Sequence, residues 1–88
     1  MKFEYKEKGS KLIVLDINWK DNKIEKIKIY GDFFLHPEES IFLLEKNLTG
    51  KGTNEIENVL IEFFNHVEYA GIDPETLLDA ITKSLVKQ

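Results

Sequence analysis

The chain has no cysteine and no arginine, only two histidines and two prolines, and no long apolar run. Without cysteine, disulfides, thiolate nucleophiles and cysteine-ligated zinc or iron-sulfur clusters are excluded together. All twelve basic residues are lysines. Lysine lacks the planar fork that grips phosphates and base edges in pairs, so no nucleic-acid role is expected. The longest apolar runs, such as Leu12–Leu15, fall far short of the ~20 residues that span a bilayer. The opening MKFEYKEKGS has no apolar core of signal-peptide length. A cytoplasmic protein with no membrane partner is the expectation.

What is present fits one small domain of 88 residues. Charge divides along the chain. Residues 1–30 hold eight lysines against five acids, whereas residues 31–88 hold four lysines against eleven acids, giving +3 and −7 and the total of −4. A basic sheet face beside acidic helices accounts for this split.

The first thirty residues alternate with a period of two, as strands do when one face is buried. Phe3 and Tyr5 share one side of KFEYKE, and KGS reads as a turn. Ile13, Leu15, Ile17 and Trp19 share a face, KDNK reads as a hairpin turn, and Ile27 and Ile29 then oppose Lys26 and Lys28. The pattern predicts a three-stranded antiparallel meander.

After Gly31 the period changes. PEESIFLLEKNL carries Ile41, Leu44 or Glu45, and Leu48 on one stripe, with Pro37 expected in the first helical turn and Gly50 ending it. Glu38 and Glu39 are expected to complement the helix dipole there. NEIENVLIEFFNHV places Ile56, Val59, Leu60, Phe63 and Val67 three and four apart, with Asn54 and Glu57 as a capping box and Gly71 closing the end. DPETLLDAITKSLV starts at Asp73 as N-cap with Pro74 behind it, and carries Leu77, Leu78, Ile81 and Leu85 on one stripe. Strands followed by helices imply an α+β fold, with three helices packed on one face of the sheet. TGKGTN is expected to be a flexible helix connector, since it lacks the phosphate-loop spacing and follows a helix rather than a strand.

Catalytic constellations are missing. His36 and His66 lie in different elements without metal-ligand spacing, and no serine sits in a nucleophile elbow. His66 fits a donor or cation at a helix C-terminal turn. The chain is expected to be no enzyme on its own, with no catalytic residue, bound cofactor or metal ligand.

One stretch is unusual. IYGDFFLHPEESI joins the last strand to the first helix, yet carries two phenylalanines and a histidine where connectors favour small polar residues. Phe33 and Phe34, successive on an extended segment, are expected either to point to opposite faces, one into the core and one towards a partner, or to be buried together under the first helix. Asp32 is expected to make a local turn hydrogen bond through its side chain, and His36 to be the helix entry residue.

The run KIKIYGDFFLHPEESIFLLEKNLTGK resembles the C-terminal accessory domain of lipoate-protein ligases, with Gly31, Asp32, Phe33, Phe34, Glu39, Leu44, Glu45, Leu48 and Gly50 as the matching residues. YAGIDPETLLDAI resembles the closing helix of that family. The resemblance implies an α+β fold related to scaffold proteins of the SufE and NifU type, and an 88-residue chain from Met1 resembles the separate small-subunit form of some archaea. It further implies a heterodimer with a large catalytic subunit. That partner uses ATP, Mg and lipoate to form lipoyl-adenylate, then modifies a lysine of an acceptor domain. Gly31, Asp32, Phe33, Phe34 and His36 are the candidate partner-interface residues. Two other readings are a free-standing module for a different acyl-transfer or carrier protein, and a scaffold descended from iron-sulfur assembly proteins, which the lack of cysteine opposes.

Overall fold

The computed structural model describes residues 1–6 and 11–87; the KGS turn lies outside the described residues. Strands β1 (Lys2–Tyr5), β2 (Ile13–Lys20) and β3 (Lys23–Gly31) form an antiparallel sheet in the order β1-β2-β3, which is the meander expected from the alternation. The KDNK hairpin places Asp21 and Asn22 at φ 54° and 60°, the left-handed pair that matches strand twist. Ile24, Ile27 and Ile29 are all buried although Ile24 and Ile27 lie an odd number apart. A bulge resolves the mismatch. Asn18 pairs with Lys26 while Trp19 pairs with Ile24, so Glu25 is the extra residue and the side-chain phase is reset.

Helices α1 (Ser40–Leu48), α2 (Thr53–Phe64) and α3 (Pro74–Lys87) cover the apolar face of the sheet. Ile13, Leu15 and Ile17 from the sheet meet Leu44, Leu48, Ile56, Leu60, Leu77 and Ile81 from the helices in one core. Asp73 caps α3 as expected, its carboxylate accepting from Thr76 N–H at 2.7 Å. Trp19 Nε1 donates to Ser84 Oγ at 3.1 Å, and Ser84 in turn donates to the Ile81 carbonyl at 2.6 Å. The hydroxyl is fully buried, and these bonds satisfy it while tying β2 to α3. Tyr5 makes a second tie, donating to Asp79 Oδ2 at 3.0 Å with Lys83 Nζ 5.0 Å from its ring centroid.

Several helix boundaries differ from the sequence expectation. Helix α1 starts at Ser40, not in the turn holding Pro37; Glu38 and Glu39 precede it, and the His36–Pro37 peptide bond is cis. Helix α2 is capped by Gly52, whose N–H donates to Glu55 Oε1 at 3.1 Å, rather than by Asn54 with Glu57. Both pairs have the same spacing, but the chain turns two residues earlier, where Gly52 sits against the sheet. The TGKGTN connector is pinned: Gly50 N–H donates to the Ile24 carbonyl at 2.7 Å and Ile24 N–H to the Lys51 carbonyl at 3.0 Å. Gly50, Lys51 and Gly52 thereby lie along the edge of β3.

The second helix also ends early. Asn65 is its C-cap, Val67 lies beyond it, and Gly71 closes no helix. Residues Glu68–Ala70 form a further strand, β5, which pairs antiparallel with β4 (Phe34–His36). The aromatic joint is therefore half of a two-stranded ribbon and not a loop.

Candidate functional site

The joint begins where β3 leaves the sheet. Gly31 has φ 151°, and a Cβ there would lie 2.3 Å from the Leu12 carbonyl oxygen. Only glycine fits a backbone packed that closely on its neighbour. The N–H of Asp32 then donates to the same Leu12 carbonyl at 3.2 Å, so the backbone of Asp32 holds the turn instead of the side-chain bond expected. Gly71 approaches from the other side with φ 78°, where an added Cβ would sit 2.9 Å from the Asp32 carbonyl and 3.3 Å from Phe33 Cα. Two glycines thus sandwich the Asp32–Phe33 backbone.

This geometry sorts the two phenylalanines as expected. Phe33 is half-buried against the core, and Phe34, 52% exposed, faces solvent. Leu35 returns to the core at 5% exposure, and His36 points outward again. His36 is accordingly a strand residue stacked on Phe34, with ring centroids 6.4 Å apart, and not the helix entry residue. On the inner side of the ribbon Leu35 pairs with Tyr69, whose ring meets Phe64 edge-on at 4.8 Å. On the outer side Phe34 and His36 lie opposite Ala70 and Glu68.

A shallow groove of about 440 Å³ runs beside the joint, lined by Ile29, Tyr30, Gly31, Phe33, Phe34, Leu35, Glu38 and Ile41. Tyr30 at 54% and Phe34 at 52% expose large rings on its walls. Glu38 lines it, Asp32 and Glu39 are chain neighbours of lining residues, and no lysine occurs between Lys28 and Lys46. The surface is apolar with an acidic margin, which suits a protein partner better than a small anion. Among the described residues no three His, Asp or Glu side chains converge to hold a metal. His66 lies just past the end of α2, its Nε2 3.1 Å from Glu62 Oε1.

Gly31, Asp32, Phe33, Phe34 and His36 are thus brought into one turn and strand. Tyr30, Ile41 and the β5 residues belong with them but were not legible as such. Strand β5 has three residues, all exposed, too few for alternation to show. The available signal was Gly71, read as a helix end although Glu68–Ala70 intervene.

Residues 4–81 match the family described as the bacterial lipoate protein ligase C-terminus. Lipoate-protein ligase A subunit 2 of Thermoplasma acidophilum is 37% identical over 76 residues, covering 85% of this chain and 79% of that protein. A chain from the solved structure of an archaeal lipoylation system superposes with a TM-score of 0.80 at 34% identity, with 91% of each chain covered. That structure is of a bi-partite lipoate protein ligase and its E2 lipoyl domain from the same archaeon.

Proposed function

Because this chain belongs to the bacterial lipoate protein ligase C-terminus family, we propose that it is the small accessory subunit of a bipartite lipoate-protein ligase. Its fold and sequence agree with the two-part archaeal enzyme over 91% of both chains, and this agreement carries the reading. The large partner subunit holds the chemistry: it binds ATP, Mg and lipoate, forms lipoyl-adenylate with release of pyrophosphate, and passes the lipoyl group to a lysine of an acceptor domain. In this reading the chain contributes neither nucleophile nor metal ligands, and among the described residues no group of three His, Asp or Glu converges. It acts by docking.

Adenylation needs the lipoate carboxylate held in line with the α-phosphate and shielded from water. A docked domain that favours the closed arrangement of the partner's loops lowers the cost of that geometry. The joint formed by Gly31, Asp32, Phe33, Phe34 and His36 is the proposed contact. Phe34 is its anchor, because an exposed ring held on a paired strand loses little conformational freedom when buried by a partner.

Pyrophosphate release by the cognate large subunit, given lipoate and Mg-ATP, is the direct test. Addition of this chain should raise the rate, and the chain alone should produce none. An unchanged rate on addition defeats the reading.

A further inference from the structure

Strand β1 ends the sheet on the side away from the joint, and among the described residues no strand pairs with its outer edge. An open edge is a template for a further strand. We propose that this edge pairs antiparallel with β1 of a second copy of the chain, about a two-fold axis at Phe3, so that the two sheets become one.

The backbone sets the phase. Ile17 N–H donates to the Met1 carbonyl at 2.8 Å, in the register that also sets Lys2 against Asp16 and Phe3 against Leu15. Hydrogen bonding alternates along an antiparallel strand, so Met1, Phe3 and Tyr5 bond to β2 while the N–H and C=O groups of Lys2 and Glu4 point to the open edge. A two-fold pairing within β1 that uses these groups has its axis at Lys2, Phe3 or Glu4. An axis at Lys2 sets that lysine against its own copy, and an axis at Glu4 does the same for the glutamate. The axis at Phe3 instead sets Lys2 of each copy against Glu4 of the other, pairing opposite charges on both sides of the axis. An axis at Tyr5 would call on Lys6, which lies beyond the strand. Among the described residues neither Lys2 nor Glu4 has an ion-pair partner in its own chain.

The apolar side agrees with the charges. Phe3 is half-buried at the margin of the core, stacked with Tyr5 at a centroid distance of 6.4 Å. The same register brings the two Phe3 rings together at a non-hydrogen-bonded site, where cross-strand side chains approach most closely. Helix α3 does not obstruct the approach. It is tied to β1 through Tyr5 and Asp79 and to β2 through Trp19 and Ser84, which leaves the two copies of α3 two to three strand spacings apart, roughly 10–14 Å and no closer than packed helices. The contact is isologous and closes on itself. It leaves the joint on β3 free, so the pairing does not depend on the two-subunit reading.

Sedimentation velocity on the purified chain, from about 10 μM to about 1 mM, should show a dimer that grows with concentration and is weak because the edge is short. Lys2→Glu and Glu4→Lys should each weaken self-association about tenfold, since each sets like charges against one another. Both side chains are exposed, so both variants should keep the wild-type melting temperature. An equimolar mixture of the two variants restores opposite charges on both sides of the axis and should dimerise as the wild type does. The amides of Lys2 and Glu4 should exchange with deuterium more slowly as concentration rises. A monomer across the whole range, equal association of Lys2→Glu and wild type, or a mixture that associates no better than its parts overturns the pairing. Protection of the two amides only when the catalytic subunit is added also overturns it, by assigning the edge to that protein.

Discussion

Phe33 and Phe34 are chemically identical and adjacent, yet the structure gives them opposite environments. Phe34→Ala should change stability by less than about 0.5 kcal/mol, as exposed substitutions do, and weaken docking to the catalytic subunit about tenfold or more. Phe33→Ala should instead lower stability by about 1 to 3 kcal/mol through lost packing. Urea denaturation and titration calorimetry on both variants separate the two effects; equal losses of stability with no selective loss of binding would sink the partition. Gly31→Ala puts a methyl into the Leu12 carbonyl and forces a positive φ, so it should cost about 2 kcal/mol or more in the same denaturation assay. The alternation of side chains on an extended segment was enough to foresee that the rings diverge. Which ring faces inward follows from Leu35, which is buried and pairs with Tyr69, more than thirty positions away along the chain.

Secondary elements were legible where their period ran long enough to be counted. The meander, the buried stripes of the three helices and the Asp73 cap all follow from local pattern and chemistry. The two misplaced boundaries of α2 share one cause: each is set by a contact outside its own segment. Gly52 caps α2 because Gly50 and Lys51 are bound to Ile24, and α2 stops at Phe64 because Glu68–Ala70 pair with the joint. Glu45 shows the same dependence. It sits on the buried stripe of α1 at 8% exposure and accepts the Ile29 N–H at 2.8 Å, with Lys28 Nζ at 3.9 Å. Its carboxylate thus covers part of the open edge of β3. Glu45→Ala leaves that buried N–H without its acceptor and should destabilise by about 1 to 3 kcal/mol, whereas Glu45→Gln keeps an amide oxygen and should cost less. Thermal melts of the pair check this; equal losses would mean the oxygen acceptor contributes nothing.

Across the whole molecule, the segment that forms the sheet carries the excess of lysine and the helical segment the excess of acid, and the two meet at Lys28 and Glu45. Composition could exclude cysteine and arginine chemistry, because an absent residue type is absent wherever the chain folds. It could not place the groove at the joint, since that combines residues from two or more elements. The ribbon of β4 and β5 has a further consequence for the order in which the molecule assembles. Its strands are three residues long and join segments more than thirty positions apart, so loop closure must precede any gain from pairing. Such a ribbon belongs to the least protected part of the fold. Its amides should exchange with deuterium faster than those of Leu15 and Ile29, and binding of the catalytic subunit should slow them selectively. Uniform protection across sheet and ribbon in the free chain would contradict this. The ribbon is then the last piece to form and the first to open, and docking at the proposed contact would hold its two strands together.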